Sequence, residues 1–192
     1  MRLRELVGIG MFAAVIPMGG IAGQVDYSSL ELSIGYAGWT GDAGDGFDPG
    51  IRGQFNLFGG VSSTFAVALT GTWADVPFAE VDTDATEWGV GVTLRKALGR
   101  AGQTRAFVDG SVGWTRLTTA VEDVDVDTDG FAIGPGLGVE IPLGSRLKAI
   151  GRGSFHYHDY GDVLVNSGIP ASDGFNGWRW AAYAGLSFGP LR

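Results

Sequence analysis

The sequence contains no cysteine, so neither a disulfide nor a thiolate metal site stabilises it. Proline is scarce, seven in 192 residues, which excludes a proline-rich linker. Basic residues are also few, 13 Lys and Arg against 21 Asp and Glu. The resulting formal charge of −8 argues against nucleic acid as a partner. No apolar run reaches the ~20 residues of a membrane-spanning helix, and no segment sustains a helical period. Glycine and aromatic residues are present in excess. There are 34 glycines, about 18% of the chain against a usual ~7%. Aromatics make up 11%, including six Trp and eleven Phe. The glycines follow no G-X-Y period, so a collagen is excluded. A hydrophobic content of 45% is too high for a disordered chain, and the length suits one domain.

Residues 1–22 have the pattern of a secretory signal peptide. Arg2 and Arg4 precede an apolar stretch from Leu6 to Ile16, which Pro17 and Gly19-Gly20 break. Gly20-Ile21-Ala22 offers small residues for cleavage after Ala22 or Gly23. No cysteine follows, so lipid attachment there is excluded. The mature domain is then expected over residues 23–192.

That domain alternates with period two in eight segments: 27–39, 50–58, 64–73, 86–95, 104–115, 130–141, 146–158 and 178–188. In the third, Phe65, Val67, Leu69 and Trp73 oppose Ala66, Ala68, Thr70 and Thr72. The connections alternate as well. Short ones, 59–63, 96–103 and 142–145, are interleaved with long ones, 40–49, 74–85, 116–129 and 159–177. This pattern predicts an all-β, eight-stranded antiparallel up-and-down barrel, with turns at one rim and loops at the other.

Side-chain size decides which face is outside. The apolar face is bulky, whereas the polar face is mostly Gly, Ala, Ser and Thr with a few long charged residues. An eight-stranded barrel has an interior only wide enough for side chains to fill. The small, polar face therefore belongs inside and the bulky face against lipid, which makes the barrel transmembrane. Trp73, Trp88, Trp114, Trp178 and Trp180 share the apolar parity at the long-loop ends and predict an aromatic girdle; Trp39 is one residue out of phase. Phe55, Phe65 and Phe188 form a thinner set at the other rim.

Parity places nine charged residues in the lumen. Glu87, Arg52 and Arg179 lie toward the loops, Glu31, Asp109 and Arg152 lower, and Glu140, Lys148 and Arg95 near the turns. Such charges must pair or be wetted, and pairing across the lumen would block flow. A polar, salt-bridged core is the first reading and a narrow or gated channel the alternative. Fifteen of the 21 acids fall in the long loops, where only Arg116 brings a base. Such a rim attracts divalent cations and, through them, lipopolysaccharide phosphates. Asp123, Asp125, Asp127 and Asp129 before Gly130 faintly resemble a calcium loop but lack its closing Glu. No cofactor, catalytic or metal site is expected. A lipid A-modifying enzyme would need an outward-facing base, and His156 and His158 both point inward by parity. With Asp159 they make an incomplete metal set.

The eight segments, the signal, the phrase Phe155-His156-Tyr157-His158-Asp159-Tyr160-Gly161 and the ending Tyr183-Ala184-Gly185-Leu186-Ser187-Phe188 resemble small outer-membrane barrels of the outer membrane protein A-like and opacity-porin type. The resemblance implies a monomeric barrel in a bacterial outer membrane, with a structural or surface-interaction role and lipid and lipopolysaccharide as neighbours. Three features depart from the pattern. Gly189-Pro190-Leu191-Arg192 follows the usual terminal aromatic, no peptidoglycan-binding domain is expected, and Pro135 in the sixth segment suggests a bulge.

Overall fold

Alternating β-branched and aromatic residues favour extended backbone, and glycines between them allow strands to approach closely. The computed structural model describes residues 29–41, 46–79, 83–121, 124–165 and 169–189. The expected signal segment lies outside them. The strands are β1 (Ser29–Thr40), β2 (Gly50–Gly60), β3 (Phe65–Pro77), β4 (Asp84–Leu98), β5 (Arg105–Val121), β6 (Val124–Pro142), β7 (Leu147–Tyr160), β8 (Val163–Val165), β9 (Ile169–Ser172) and β10 (Asn176–Phe188).

Each strand from β1 to β7 pairs antiparallel with the next, β10 joins β7 to β1, and the ring closes with eight strands. All eight expected segments are present. The register can be followed once around the barrel, from Leu30 through Leu57, Leu69, Val92, Val112, Ile133, Tyr157 and Trp178 back to Thr40. The return point is ten residues along β1 from the start. A stagger of that size tilts the strands by about 40° and gives ten residues of strand a height of about 25 Å.

Two expectations about connections are corrected. The segment 116–129 is not a long loop: Arg116↔Asp129 through Val121↔Val124 are paired, so β5 and β6 run on as a projecting hairpin. Thr119 Oγ1 donates to the Asp84 carbonyl at 3.0 Å, tying this hairpin to β4. The segment 159–177 contains the small β8–β9 hairpin, which pairs with β6 through Val126↔Val165. At the other rim the turns are tight. Ser62 Oγ accepts the Phe65 amide at 3.0 Å, and Gly99 and Gly102 adopt positive φ of 117° and 79°.

Pro135 does not produce a bulge. On the β7 side pairing skips Gly134 and Pro135 but resumes in the same register, Ile133↔Tyr157 and then Gly136↔Ser154. On the β5 side it is continuous through Gly110↔Pro135. The proline removes a ladder donor without adding a residue to the strand.

Candidate functional site

The lumen is the chemically distinctive part of the molecule. Alternation directs the residues on one face of each strand inward, and eight of the nine expected lumen charges are buried. The ninth, Lys148, is half-buried near the turns. These charges form three clusters stacked along the barrel axis.

Near the loops, Glu87 on β4 gathers groups from three other strands. Its Oε2 accepts from Arg179 Nη1 at 2.7 Å and from the Tyr160 hydroxyl at 2.5 Å. Arg52 Nη1 stands 3.2 Å from Oε1, and His158 Nδ1 stands 3.9 Å from Oε2. Lower down, Arg95 forks onto Glu31 at 2.6 and 3.2 Å and reaches Asp109 at 3.2 Å. Asp109 also accepts from Arg152 at 3.0 Å. The Arg95 guanidinium lies between the rings of Phe58 and Phe107, 4.4 and 3.8 Å from their centroids. A chain of hydrogen bonds runs from Gln54 to Asn56 to Glu31, with Thr70 donating to Asn56. Near the turns Glu140 binds Arg105, and Lys148 at 3.4 Å.

Arg95 was expected near the turns with Glu140. Its long side chain instead joins the Glu31–Asp109 cluster. Arg105 was missed, although it shares the inward parity of Asp109. Tyr160 was missed because it sits at the strand end, in the last residue of β7.

Large rings also occupy the lumen, where mainly small residues were expected beside the charges. Phe58 and Phe107 cover Arg95. Trp39, the out-of-phase tryptophan, is 7% exposed and packs with Tyr160, with Phe47, Phe78 and Phe175 against the cluster. Trp39 stands 5.1 Å from His158, and Phe175 stacks on Tyr160 at 4.7 Å. These rings cover the Glu87 cluster on its loop side. Of the other tryptophans, Trp73, Trp88 and Trp178 are exposed on the outer face. Trp114 and Trp180 are half-buried there, Trp114 against Trp88 at 4.9 Å and Trp180 against Tyr36 at 6.3 Å.

His156 and His158 both face the lumen. His156 Nε2 lies 2.6 Å from Ser111 Oγ, a pairing between β7 and β5 that sequence distance concealed. Both side chains of this serine–imidazole pair point into the lumen, away from the outer face of the barrel. Asp159 lies on the opposite face of β7 from both imidazoles, which dissolves the incomplete metal set. Among the described residues no three His, Asp or Glu side chains converge to hold a metal. The acidic run is likewise not a loop: Asp125, Asp127 and Asp129 belong to β6, and Asp127 pairs with Arg116 at 2.6 Å. Asp123 lies outside the described residues.

No protein-family model and no curated protein sequence matches the chain. Its fold does match solved barrels. Neisserial surface protein A aligns with a TM-score of 0.64 at 12% identity, over 83% of this chain and 95% of that one. The outer membrane protein OprG of Pseudomonas aeruginosa aligns with a TM-score of 0.55 at 12% identity, over 85% and 96%. The N-terminal β-barrel domain of OprF from the same organism gives 0.52 at 13%, over 85% and 98%. At these identities the similarity concerns the fold: a closed eight-stranded barrel with a polar interior.

Proposed function

We propose that the chain is a monomeric barrel of a bacterial outer membrane, with a structural or surface-interaction role and a lumen closed to through-flow. The observation that carries this reading is the apolar belt on the outer face. Ile34 is 64% and Leu137 68% exposed, and Leu32, Leu69, Val112 and Ile133 join them around the ring. Soluble monomers rarely expose apolar patches beyond about 300–600 Å². A belt of leucine, isoleucine and valine around a tilted barrel about 25 Å high matches a hydrocarbon core. The name of one solved barrel of like fold, the outer membrane protein OprG, supports the same location.

Trp73, Trp88, Trp114, Trp178 and Trp180 then form the girdle at the loop-side headgroup zone. The acidic rim faces outward, where divalent cations would bridge it to lipopolysaccharide phosphate. The three charge clusters and the rings around Trp39 crosslink the strands and fill the lumen, as a structural barrel requires. A second reading, a gated narrow channel, draws on Glu87 and Asp109. Each is shared by two arginines, so a pair can switch partners without stranding a carboxylate.

Two measurements test this. The folded barrel should migrate differently in detergent gels before and after boiling; identical mobility would remove the barrel. Planar-bilayer recording of refolded protein should be silent. Stepwise conductance that changes in Glu87 or Asp109 variants would replace the closed reading with the channel.

A further inference from the structure

The two rims of the barrel differ in charge. The long-loop rim is acidic, whereas the turn segments 59–64, 96–104 and 142–146 hold three basic residues, Lys96, Arg100 and Arg146, and no Asp or Glu. All three are exposed, and among the described residues none of them pairs with a carboxylate.

Lys96 is the most informative of them. Trp88, Val90, Val92, Leu94 and Lys96 form one outward row on β4. Lys96 stands between Phe65 on β3 and Val108 on β5, which also face outward. Its ammonium therefore leaves the outer wall of the barrel, and it donates to the Thr64 hydroxyl at 3.3 Å. The tilted length of β4 between the two residues puts Lys96 about 20 Å below Trp88, at the opposite edge of the apolar belt. A long basic side chain on a lipid-facing wall extends to the headgroup zone, and its counter-charge there is lipid phosphate.

The same rim presents aliphatic side chains. Val61, Leu98 and Leu143, one from each turn, are 52%, 50% and 58% exposed. Hydrogen bonds hold the turns in place. The Ala97 amide donates to the Thr64 carbonyl at 2.7 Å, Arg105 Nη1 to the Ser63 carbonyl at 3.3 Å, and the Gly189 amide to the Arg146 carbonyl at 2.9 Å. Cations beside exposed aliphatics match an amphiphile with an anionic head. An acidic protein or polymer would satisfy the cations and leave the aliphatics uncovered.

We propose that the turn rim binds anionic phospholipid of the phosphatidylglycerol kind. Lys96, Arg100 and Arg146 meet the headgroups, and Val61, Leu98 and Leu143 meet the first methylenes. The proposal rests on the reading of the chain as an outer-membrane barrel and adds which lipid its turn side takes.

Brominated lipids test it, because they quench nearby fluorophores. Leu98→Cys carrying a bimane reads the turn rim, and the native tryptophans read the loop rim. The labelled barrel is refolded into phosphatidylcholine vesicles containing a minority of phosphatidylglycerol, with bromine on the chains of one lipid or the other. At low salt the bimane should show about a fivefold preference for phosphatidylglycerol, the factor for one basic residue at an anionic surface, and the tryptophans none. About 1 M salt should remove the preference, a result that needs no further variant. Combined Lys96→Gln, Arg100→Gln and Arg146→Gln should remove it at low salt. Equal quenching of the bimane by both lipids would leave the rim to an acidic protein or polymer and overturn the proposal. A preference that survives the triple variant, or one confined to the tryptophans, would overturn it too. In these cases the membrane reading stands. Absence of quenching by either lipid at both probes would overturn that reading and the proposal with it.

Discussion

Glu87 is the most stringent point in the lumen. It is fully buried and is the only carboxylate in contact with Arg52 and Arg179 among the described residues. It also accepts the Tyr160 hydroxyl. Glu87→Ala leaves two guanidinium groups facing each other and frees one phenol. Breaking a buried ion pair on one side costs about 3–5 kcal/mol, because the remaining charge stays desolvated. With a urea dependence of about 2 kcal/mol per molar, the unfolding midpoint should fall by roughly 2 M. The assay is urea unfolding of the barrel refolded into lipid vesicles, followed by tryptophan fluorescence. Adding Arg179→Met to Glu87→Ala should recover about 1–3 kcal/mol, since it removes one stranded charge. The reasoning is refuted if Glu87→Ala falls within about 0.5 kcal/mol of the native chain, the range of an ordinary surface change. A double variant less stable than Glu87→Ala alone would refute it too.

Three further outcomes follow from the packing. Arg95→Lys keeps the charge but loses the fork onto Glu31 and the flat contact with Phe58 and Phe107, so it should cost about 1–3 kcal/mol in the same unfolding assay. Gly113 pairs with Gly91 inside the barrel, and a Cβ there would lie 2.7 Å from the Val90 carbonyl oxygen. Gly113→Val should therefore abolish the heat-modifiable gel band, whereas Gly110→Ala, on the outer face with open space around it, should keep it. Leu69→Arg places a charge mid-belt and should cost about 2–4 kcal/mol in vesicles, while Leu69→Phe should be nearly neutral.

Most of the barrel was legible because period two is a strong local signal and the eight segments carry it without interruption. The inward or outward sense of each strand followed from side-chain size, and eight of the nine expected charges are buried as parity required. The boundaries were less legible. In β6, Val124, Val126 and Thr128 alternate with Asp125, Asp127 and Asp129, which is itself a strand pattern, but the density of acids suggested a loop. Asp109 stands directly opposite Arg95 in the β4–β5 register, a pairing legible only once the register is known, and Glu31 is reached across the lumen from a strand not adjacent to β4. Trp39, Phe58 and Phe107 carried a sequence mark, their inward parity. The reason for their size appeared only with the cations and imidazole that they cover. The Ser111–His156 contact left no such mark, since it joins strands that are not adjacent in the ring.

The central claim is that the bulky apolar face meets lipid while the polar face closes on itself. Since the chain has no cysteine, single cysteines can be introduced without background. Spin labels placed one at a time from Leu30 to Tyr36 and from Ala66 to Trp73, in vesicles, would report collision rates with oxygen and with a water-soluble nickel complex. A two-residue oscillation is expected. Positions 32, 34, 36, 67 and 69 should be open to oxygen and closed to nickel, and positions 31, 33, 68 and 70 closed to both. Nickel access at the first set, or no oscillation, would contradict it.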